Sequence, residues 1–260
     1  MGTPPRTEWD YSGIVAAAYD HYFGDEPFWD QRFFEARLRG NGGRALELAC
    51  GTGRLLVPLL RDGLDVEGLD TSADMLDILR HKARAPNLAP VLYQCPMQAF
   101  DLPRRYRTVF VPAGSFCMLV HDEEIRATLA CCLAALEPGG ELIIPLDVEE
   151  PAVREKHEWR LRRDVEVPSH QARVRIHERI GYDPGTTLID WQLRWEVERS
   201  GQAVERFERK HLLRHHRADD FAELLRAAGF EAVQTRRGYA EMESTDPSDD
   251  TVFTARRPQH

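Results

Sequence analysis

The residues whose types and spacing suggest chemistry gather around a glycine bend. Glu47-Leu48-Ala49-Cys50-Gly51-Thr52-Gly53 places an acid four residues ahead of the first glycine, and Asp70 stands at the end of the next apolar stretch. Glycine has no Cβ and tolerates φ > 0, so a Gly-x-Gly bend lets the backbone come close against a ligand. A carboxylate is acceptor-only, which suits Asp70 to taking hydrogen bonds beside the bend. Tyr19, His21, Tyr22 and His121 are candidates for moving or orienting a proton. Tyr22 serves equally as packing on an amphipathic helix, and His121 as a helix-start residue. His177, His211, His215 and His216 invite a metal reading. No second pair stands at ligand spacing, and adjacent residues such as His215 and His216 point to opposite sides of a strand, so no metal is expected.

The elements that must position these residues alternate between strand and helix. Ala45–Ala49 reads as a strand and Arg54 onward as a helix to about Asp62. Val66–Leu69 is the next strand, followed by a helix from about Ser72 to His81, with Thr71 or Ser72 as its cap. Strands at Val91–Gln94 and Val109–Val111, a helix over Asp122–Leu136 and a strand at Glu141–Leu146 complete the series. Pro138-Gly139-Gly140 is the expected stop of that helix. Such alternation predicts right-handed βαβ units and a mostly parallel sheet. Residues 12–39 read as two helices interrupted at Gly24 and Pro27, the second carrying Phe28, Phe33, Phe34 and Leu38. After Gly53 come Arg54, Leu55 and Leu56, so the third glycine of a dinucleotide fingerprint is absent and a nicotinamide enzyme is disfavoured.

From about Glu158 to Arg214 the periodicity changes to two. Ile189, Trp191, Leu193, Trp195 and Val197 share one face, while Asp190, Gln192, Arg194 and Glu196 share the other. Val174, Ile176 and Ile180 alternate likewise, Tyr182-Asp183-Pro184-Gly185 makes a turn, and Val204–Leu213 reads as a further strand. These runs form an antiparallel meander inserted after the fifth strand of the parallel core. A helix over Asp219–Ala228 and strands at about Glu231–Thr235 and Thr251–Arg256 return to the α/β style.

Composition narrows the class of partner. The chain has 260 residues and a formal charge of −9. Lysine occurs only at Lys82, Lys156 and Lys210, and arginine supplies the other basic residues without clustering. A phosphate backbone is therefore disfavoured as partner. The cysteines Cys50, Cys95, Cys117, Cys131 and Cys132 are odd in number and lack Cys-x-x-Cys spacing, which argues against a disulfide framework. No apolar stretch approaches the roughly 20 residues that span a bilayer, and Met1–Asp10 is too polar for a signal peptide. A cytoplasmic protein is expected.

The acid–Gly-x-Gly motif, Asp70 and Pro138-Gly139-Gly140, in that order, resemble the class I S-adenosylmethionine-dependent methyltransferases, and the likeness covers nearly the whole chain. Tyr19-Asp20-His21-Tyr22 and Pro112-Ala113-Gly114-Ser115-Phe116 are similar to a bacterial small-molecule branch containing sugar-amine and glycine N-methyltransferase-like enzymes. The resemblance implies a Rossmann-like, mostly parallel seven-stranded sheet. It implies a helical cap at 1–40, a cofactor core at 41–155 and 215–260, and a meander at 156–214 that covers substrate or builds a homodimer contact. It places S-adenosylmethionine, and the product S-adenosylhomocysteine, against Tyr19, Glu47, Ala49, Gly51, Gly53, Asp70, Thr71, Met75, Pro96, Met97 and Pro112. A small-molecule acceptor falls to Tyr22, Ser115, Met118 and Trp191, with Tyr22 and His121 as catalytic candidates.

Two positions depart from the pattern. Pro96 stands where the usual aspartate bonds the adenine amino group, leaving the Met97 backbone and Gln98 to define that edge. Met118 stands where sugar-amine members often carry histidine. These departures motivate an alternative, a cofactor-binding protein that does not methylate or a cyclisation-type enzyme on the same fold. A base-targeting amino-methylase is disfavoured, because Val111-Pro112-Ala113-Gly114 replaces the Asp/Asn-Pro-Pro-aromatic run of those enzymes. The favoured expectation is N- or O-methylation of a small molecule, in natural-product metabolism.

Overall fold

The computed structural model describes residues 11–23, 30–85, 87–148, 156–239 and 250–259. Its centre is a seven-stranded sheet. In chain order the strands are β1 (Ala45–Leu48), β2 (Val66–Asp70), β3 (Leu92–Gln94), β4 (Tyr106–Phe110), β5 (Leu136–Leu146), β10 (Glu231–Arg237) and β11 (Thr251–Arg256). Across the sheet they lie β10-β11-β5-β4-β1-β2-β3. The pairs β1/β2, β1/β4, β2/β3 and β4/β5 are parallel, and β11 runs against both β5 and β10. Strand order reverses between β1 and β4, the place where open α/β sheets hold ligands beyond the carboxyl ends of their strands. All four β1 residues are buried, because apolar layers cover both faces of the sheet. One layer includes Leu46, Leu48, Val109, Phe116, Leu129 and Phe221; the other includes Phe34, Ala45, Leu56, Leu79, Phe110 and Ile143.

The second sheet is an antiparallel meander of β6 (Lys156–Val167), β7 (Ala172–Asp183), β8 (Leu188–Arg199) and β9 (Glu205–Arg214), in that spatial order. Val174, Ile176, Leu193, Trp195 and Val197 are buried on one face. Helix α1 (Gly13–Phe23) closes that face with Val15 and Ala18. Four polar contacts then tie α1 and the residue leading into it to the bend after β1 and to the helix that follows β2. Gly13 N–H donates to Asp74 at 2.6 Å, Ser72 Oγ donates to the Tyr11 carbonyl at 2.6 Å, and Asp20 accepts from Thr52 Oγ1 at 2.5 Å and Lys82 Nζ at 3.0 Å.

Several boundaries differ from the sequence reading, each for a physical reason. The helix expected from Arg54 is α3 (Leu56–Arg61). Residues 51–55 stay in the turn, where Arg54 is buried in a two-bond pair with Asp30, both at 2.7 Å. Strand β4 begins three residues before Val109, because Tyr106 OH donates to Glu67 at 2.8 Å and Thr108 Oγ1 accepts from Asn41 at 3.0 Å. These partners let polar residues run through a buried strand. Helix α5 (Asp122–Ala135) ends before Pro138, and Pro138-Gly139-Gly140 lies inside β5, with Gly139 at φ 71°. Strand β6 has no clean alternation because its pairing with β7 slips twice and leaves Leu161 exposed. Helix α2 spans Gln31–Asn41, and the interruption expected at Gly24 and Pro27, with Phe28, lies outside the described residues. Helices α4 (Ala73–Arg84) and α6 (Ala218–Ala227) lie close to their expected places. Among the described residues, no helix is long and apolar enough to cross a membrane.

Gly53 leaves no room for a side chain in the core beside the bend. Its φ is +80°, and a Cβ there would lie 2.7 Å from Leu79 Cγ and 2.8 Å from Val57 Cγ2. Gly53→Ala is therefore expected to cost roughly 1–3 kcal/mol from backbone strain and overpacking. At a few degrees per kcal/mol this lowers the melting temperature by about 2–10 °C, measured by circular dichroism.

Candidate active site

The bend after β1 is built from backbone conformations that side chains resist. Ala49, Gly51 and Gly53 all have positive φ, at 55°, 53° and 80°. A Cβ built on Gly51 meets nothing within 4 Å, so this glycine borders open space rather than packed core. Asp70, at the end of β2, holds the bend. Its Oδ2 accepts from Gly51 N–H and its Oδ1 from Ser72 N–H, both at 2.8 Å. Burial raises the carboxyl above its ordinary value, against the lowering effect of these backbone bonds. Ser72 caps α4 by accepting from Met75 N–H at 3.1 Å, which satisfies one of the helix's orphan donors.

A cavity of about 490 Å³ opens over this bend, within the size range of small-molecule sites. The floor is the sheet edge: Ala49 and Gly51 after β1, Leu69, Asp70 and Thr71 at β2, Met75 from α4, and Cys95 and Met97 after β3. Across the switch point, the loop after β4 supplies Ala113, Gly114, Ser115, Cys117 and Met118. The roof is α1, through Tyr11, Val15 and Tyr19, together with the apolar face of the meander, through Ile180, Trp191, Leu193 and Trp195. Tyr11 meets Tyr19 edge-on at 5.6 Å and stacks with His211 at 6.4 Å, and His211 meets Trp191 at 5.8 Å. One chain of rings thus joins the helix to the meander.

The cavity brings together Tyr19, Ala49, Gly51, Asp70, Thr71, Met75, Met97, Ser115, Met118 and Trp191 from among the residues singled out in the sequence. Others lie behind its wall. Glu47 is buried with Oε2 unpartnered, and burial holds its carboxyl well above the ordinary value, partly offset by Arg54. Gly53 packs against α4. The Pro96 carbonyl accepts from Ala99 N–H at 3.1 Å and the Pro112 carbonyl from Ser115 N–H at 3.2 Å, so these prolines shape the two loops without lining the space. His121 is the N-cap of α5 and makes no capping bond; its Nε2 is buried without a partner, away from the cavity lining. Tyr22 sits in the last turn of α1, and its side chain lies outside the described residues. Trp191 serves both packing and lining. Its Nε1 donates to Glu178 at 3.3 Å, and the Arg162 guanidinium lies 5.4 Å from its ring.

The cavity also holds residues that sequence reasoning passed over, Asp147 after β5, Asp250 before β11, Arg162 and Arg214, together with His215, which the sequence offered only as a metal candidate. Asp147 follows a parallel strand at its carboxyl end, a position where function concentrates, and that signal was available. Arg162 had none, and nothing placed His215 here, since only the folding of one sheet over the other brings them to the site. Burial pushes the Cys117 thiol up to about 12, with Asp147 and Asp250 adding to the rise. Among the described residues, no group of three or more His, Cys, Asp or Glu is placed to hold a metal ion.

Comparison with known proteins agrees with this geometry. Residues 45–140 match the family model described as a methyltransferase domain. The chain is 24% identical to the YqeM protein of Bacillus subtilis (strain 168) over 258 residues, covering 95% of this chain and 97% of that protein. It is 33% identical over 141 residues to the dTDP-3-amino-3,6-dideoxy-α-D-glucopyranose N,N-dimethyltransferase of Streptomyces fradiae, a match spanning 52% of this chain and 54% of that enzyme. The CcbJ methyltransferase of Streptomyces caelestis superimposes with a TM-score of 0.74 at 25% identity, over 94% of this chain and 96% of the other.

The raised carboxyls make stability depend on pH. An unfolded glutamate titrates near pH 4.3, whereas folded Glu47 holds its proton to higher pH. Its contribution to stability is full below the unfolded value and drains as pH rises through the folded one. The melting temperature is expected to fall between pH 5 and 8, and Glu47→Gln to flatten that fall. Asp70 shares the sign and keeps part of the slope. Thermal melts of both proteins across this range measure the difference.

Proposed function

We infer that this chain, a class I S-adenosylmethionine-dependent methyltransferase, methylates nitrogen or oxygen of a compact small molecule in specialised metabolism, with an amine nitrogen as the favoured atom. The observation that carries this reading is one cavity that borders both the Asp70-braced glycine bend and the aromatic face of the meander. The 33% identity to an aminosugar N,N-dimethyltransferase, over 54% of that enzyme, supports an amine acceptor. The chain's net charge of −9 favours a diffusible acceptor in the cytoplasm over a nucleic acid.

The residues present fit the cofactor. Gly51 faces open space, and each Asp70 oxygen keeps lone pairs beyond its bond to a backbone N–H. In this reading Asp70 accepts from the ribose hydroxyls, and Ala49 and Gly51 give close main-chain contact to the methionine portion. Thr71, Met75 and Met97 flank the adenine, and Tyr19 closes over the cofactor from α1. Glu47 and Gly53 hold the bend from behind, as Pro96 and Pro112 hold their loops. Bound S-adenosylmethionine supplies a methyl group already activated on a sulfonium. The protein's share is to hold the acceptor in line and to keep water out. Ser115, Met118 and Trp191 line the cavity beside the bend and take the acceptor.

Incubation with methyl-labelled S-adenosylmethionine and panels of amines and phenols tests the reading; retained cofactor affinity with no labelled product from any acceptor would favour a non-methylating role. Asp70→Ala removes a charge-assisted acceptor worth about 1.5–3 kcal/mol. Its affinity for S-adenosylhomocysteine is expected to drop about 10- to 100-fold by calorimetry.

A further inference from the structure

We propose that His215 accepts the proton that the acceptor must lose for methyl transfer, an assignment that rests on the methyl-transfer reading above. His215 follows β9 and lines the cavity, yet it is only 7% exposed. Its backbone N–H donates to the Thr187 carbonyl at 2.9 Å, and its ring meets Tyr182 of β7 edge-on at 6.0 Å. The backbone is thus held to the strand pair, and the ring packs against Tyr182. Its Nε2 is buried and has no hydrogen-bond partner. Buried polar atoms are nearly always paired, and an unpaired one in a cavity wall calls for a partner. An acceptor N–H or O–H supplies it.

The other titratable groups of the cavity are poorly suited to this task. Arg162 pairs with Glu178 and Arg214 with Asp122, and guanidinium groups keep their protons. Burial raises the thiols of Cys95 and Cys117. Asp250 already accepts from Tyr239 OH at 2.6 Å, and Asp147 already acts on the Cys117 thiol beside it. Imidazole is the side chain that exchanges a proton between pH 5 and 8. The neighbouring His216 cannot substitute, because burial pushes it down to about 3 and its ring packs against Phe116 and Phe221.

The step balances as follows. An N–H bond of the protonated amine breaks and its proton goes to the His215 imidazole. The freed nitrogen lone pair forms the N–CH3 bond while the C–S bond breaks, its electron pair remaining on sulfur as a neutral thioether. The imidazolium returns its proton to solvent.

The test uses full-length wild type, H215Q and H215N, with glycine, sarcosine and free 3-aminosugars as acceptors. With H215Q we expect kcat to fall about 100-fold or more, affinity for S-adenosylhomocysteine to stay within about threefold, and the acidic limb of the kcat/KM profile to disappear. Added imidazole should restore part of the rate. Adding the acceptor to the S-adenosylhomocysteine complex should shift the His215 ring resonances in NMR, a readout that a packing role would not move. If H215Q melts early, H215N and the ring shift decide. A wild type that turns over beside an H215Q of equal rate and unchanged pH profile overturns His215 alone. A wild type that binds S-adenosylhomocysteine and methylates none of these acceptors removes the amine-transfer reading and this assignment with it.

Discussion

The site depends on one carboxylate bonded to two backbone N–H groups. Asp70 takes Gly51 N–H with one oxygen and Ser72 N–H with the other. It thereby fixes the bend after β1 to the start of α4, across the neighbouring parallel strands β1 and β2. Ala49 and Gly51 hold left-handed backbone angles there, which cost free energy that a surrounding structure must meet. Asp70 is well placed to meet it, being half-sequestered and acceptor-only. The same group that braces the bend keeps lone pairs toward the cavity, so the geometry of the floor and its polarity come from one side chain.

The roof is built on a different principle. Helix α1 buries Val15 and Ala18 against the meander rather than against the parallel sheet. Among the described residues, it is hydrogen-bonded to the floor at Thr52, Ser72, Asp74 and Lys82. Apolar packing joins cap to meander, and hydrogen bonds join that pair to the floor. Two of the floor residues concerned, Thr52 and Ser72, neighbour the bend itself. Any ligand that orders the bend also orders the anchor points of the roof.

The sequence carried the floor more clearly than the roof. An acid, two glycines and a second acid at the end of the next strand are local marks, and Glu47, Gly51, Gly53 and Asp70 fall where they indicate. The alternation of β7 and β8 was equally plain, because their inner residues are buried and their outer ones are charged. Strand β6 was illegible because two register slips erase its period. Tyr106 and Thr108 hid the start of β4, since their partners Glu67 and Asn41 are remote in sequence. His215 and Arg162 join the cavity only when one sheet folds over the other, and no local pattern announces that. Glu47 shows the opposite failure: its motif is legible, but the side chain points into protein among Arg54, Asp30 and Asp70 rather than into the space.

The order of strands across the central sheet has a consequence for how the molecule is made. Strand β11 lies between β5 and β10 and pairs with both, yet the ribosome delivers it after either of them. Until it arrives, β5 has an open edge and β10 has no place in the sheet. Asp250, immediately before β11, reaches the cavity by the same late insertion. A nascent chain stopped short of this hairpin presents the glycine bend beside an incomplete wall and an unpaired strand edge, the kind of surface that invites aggregation.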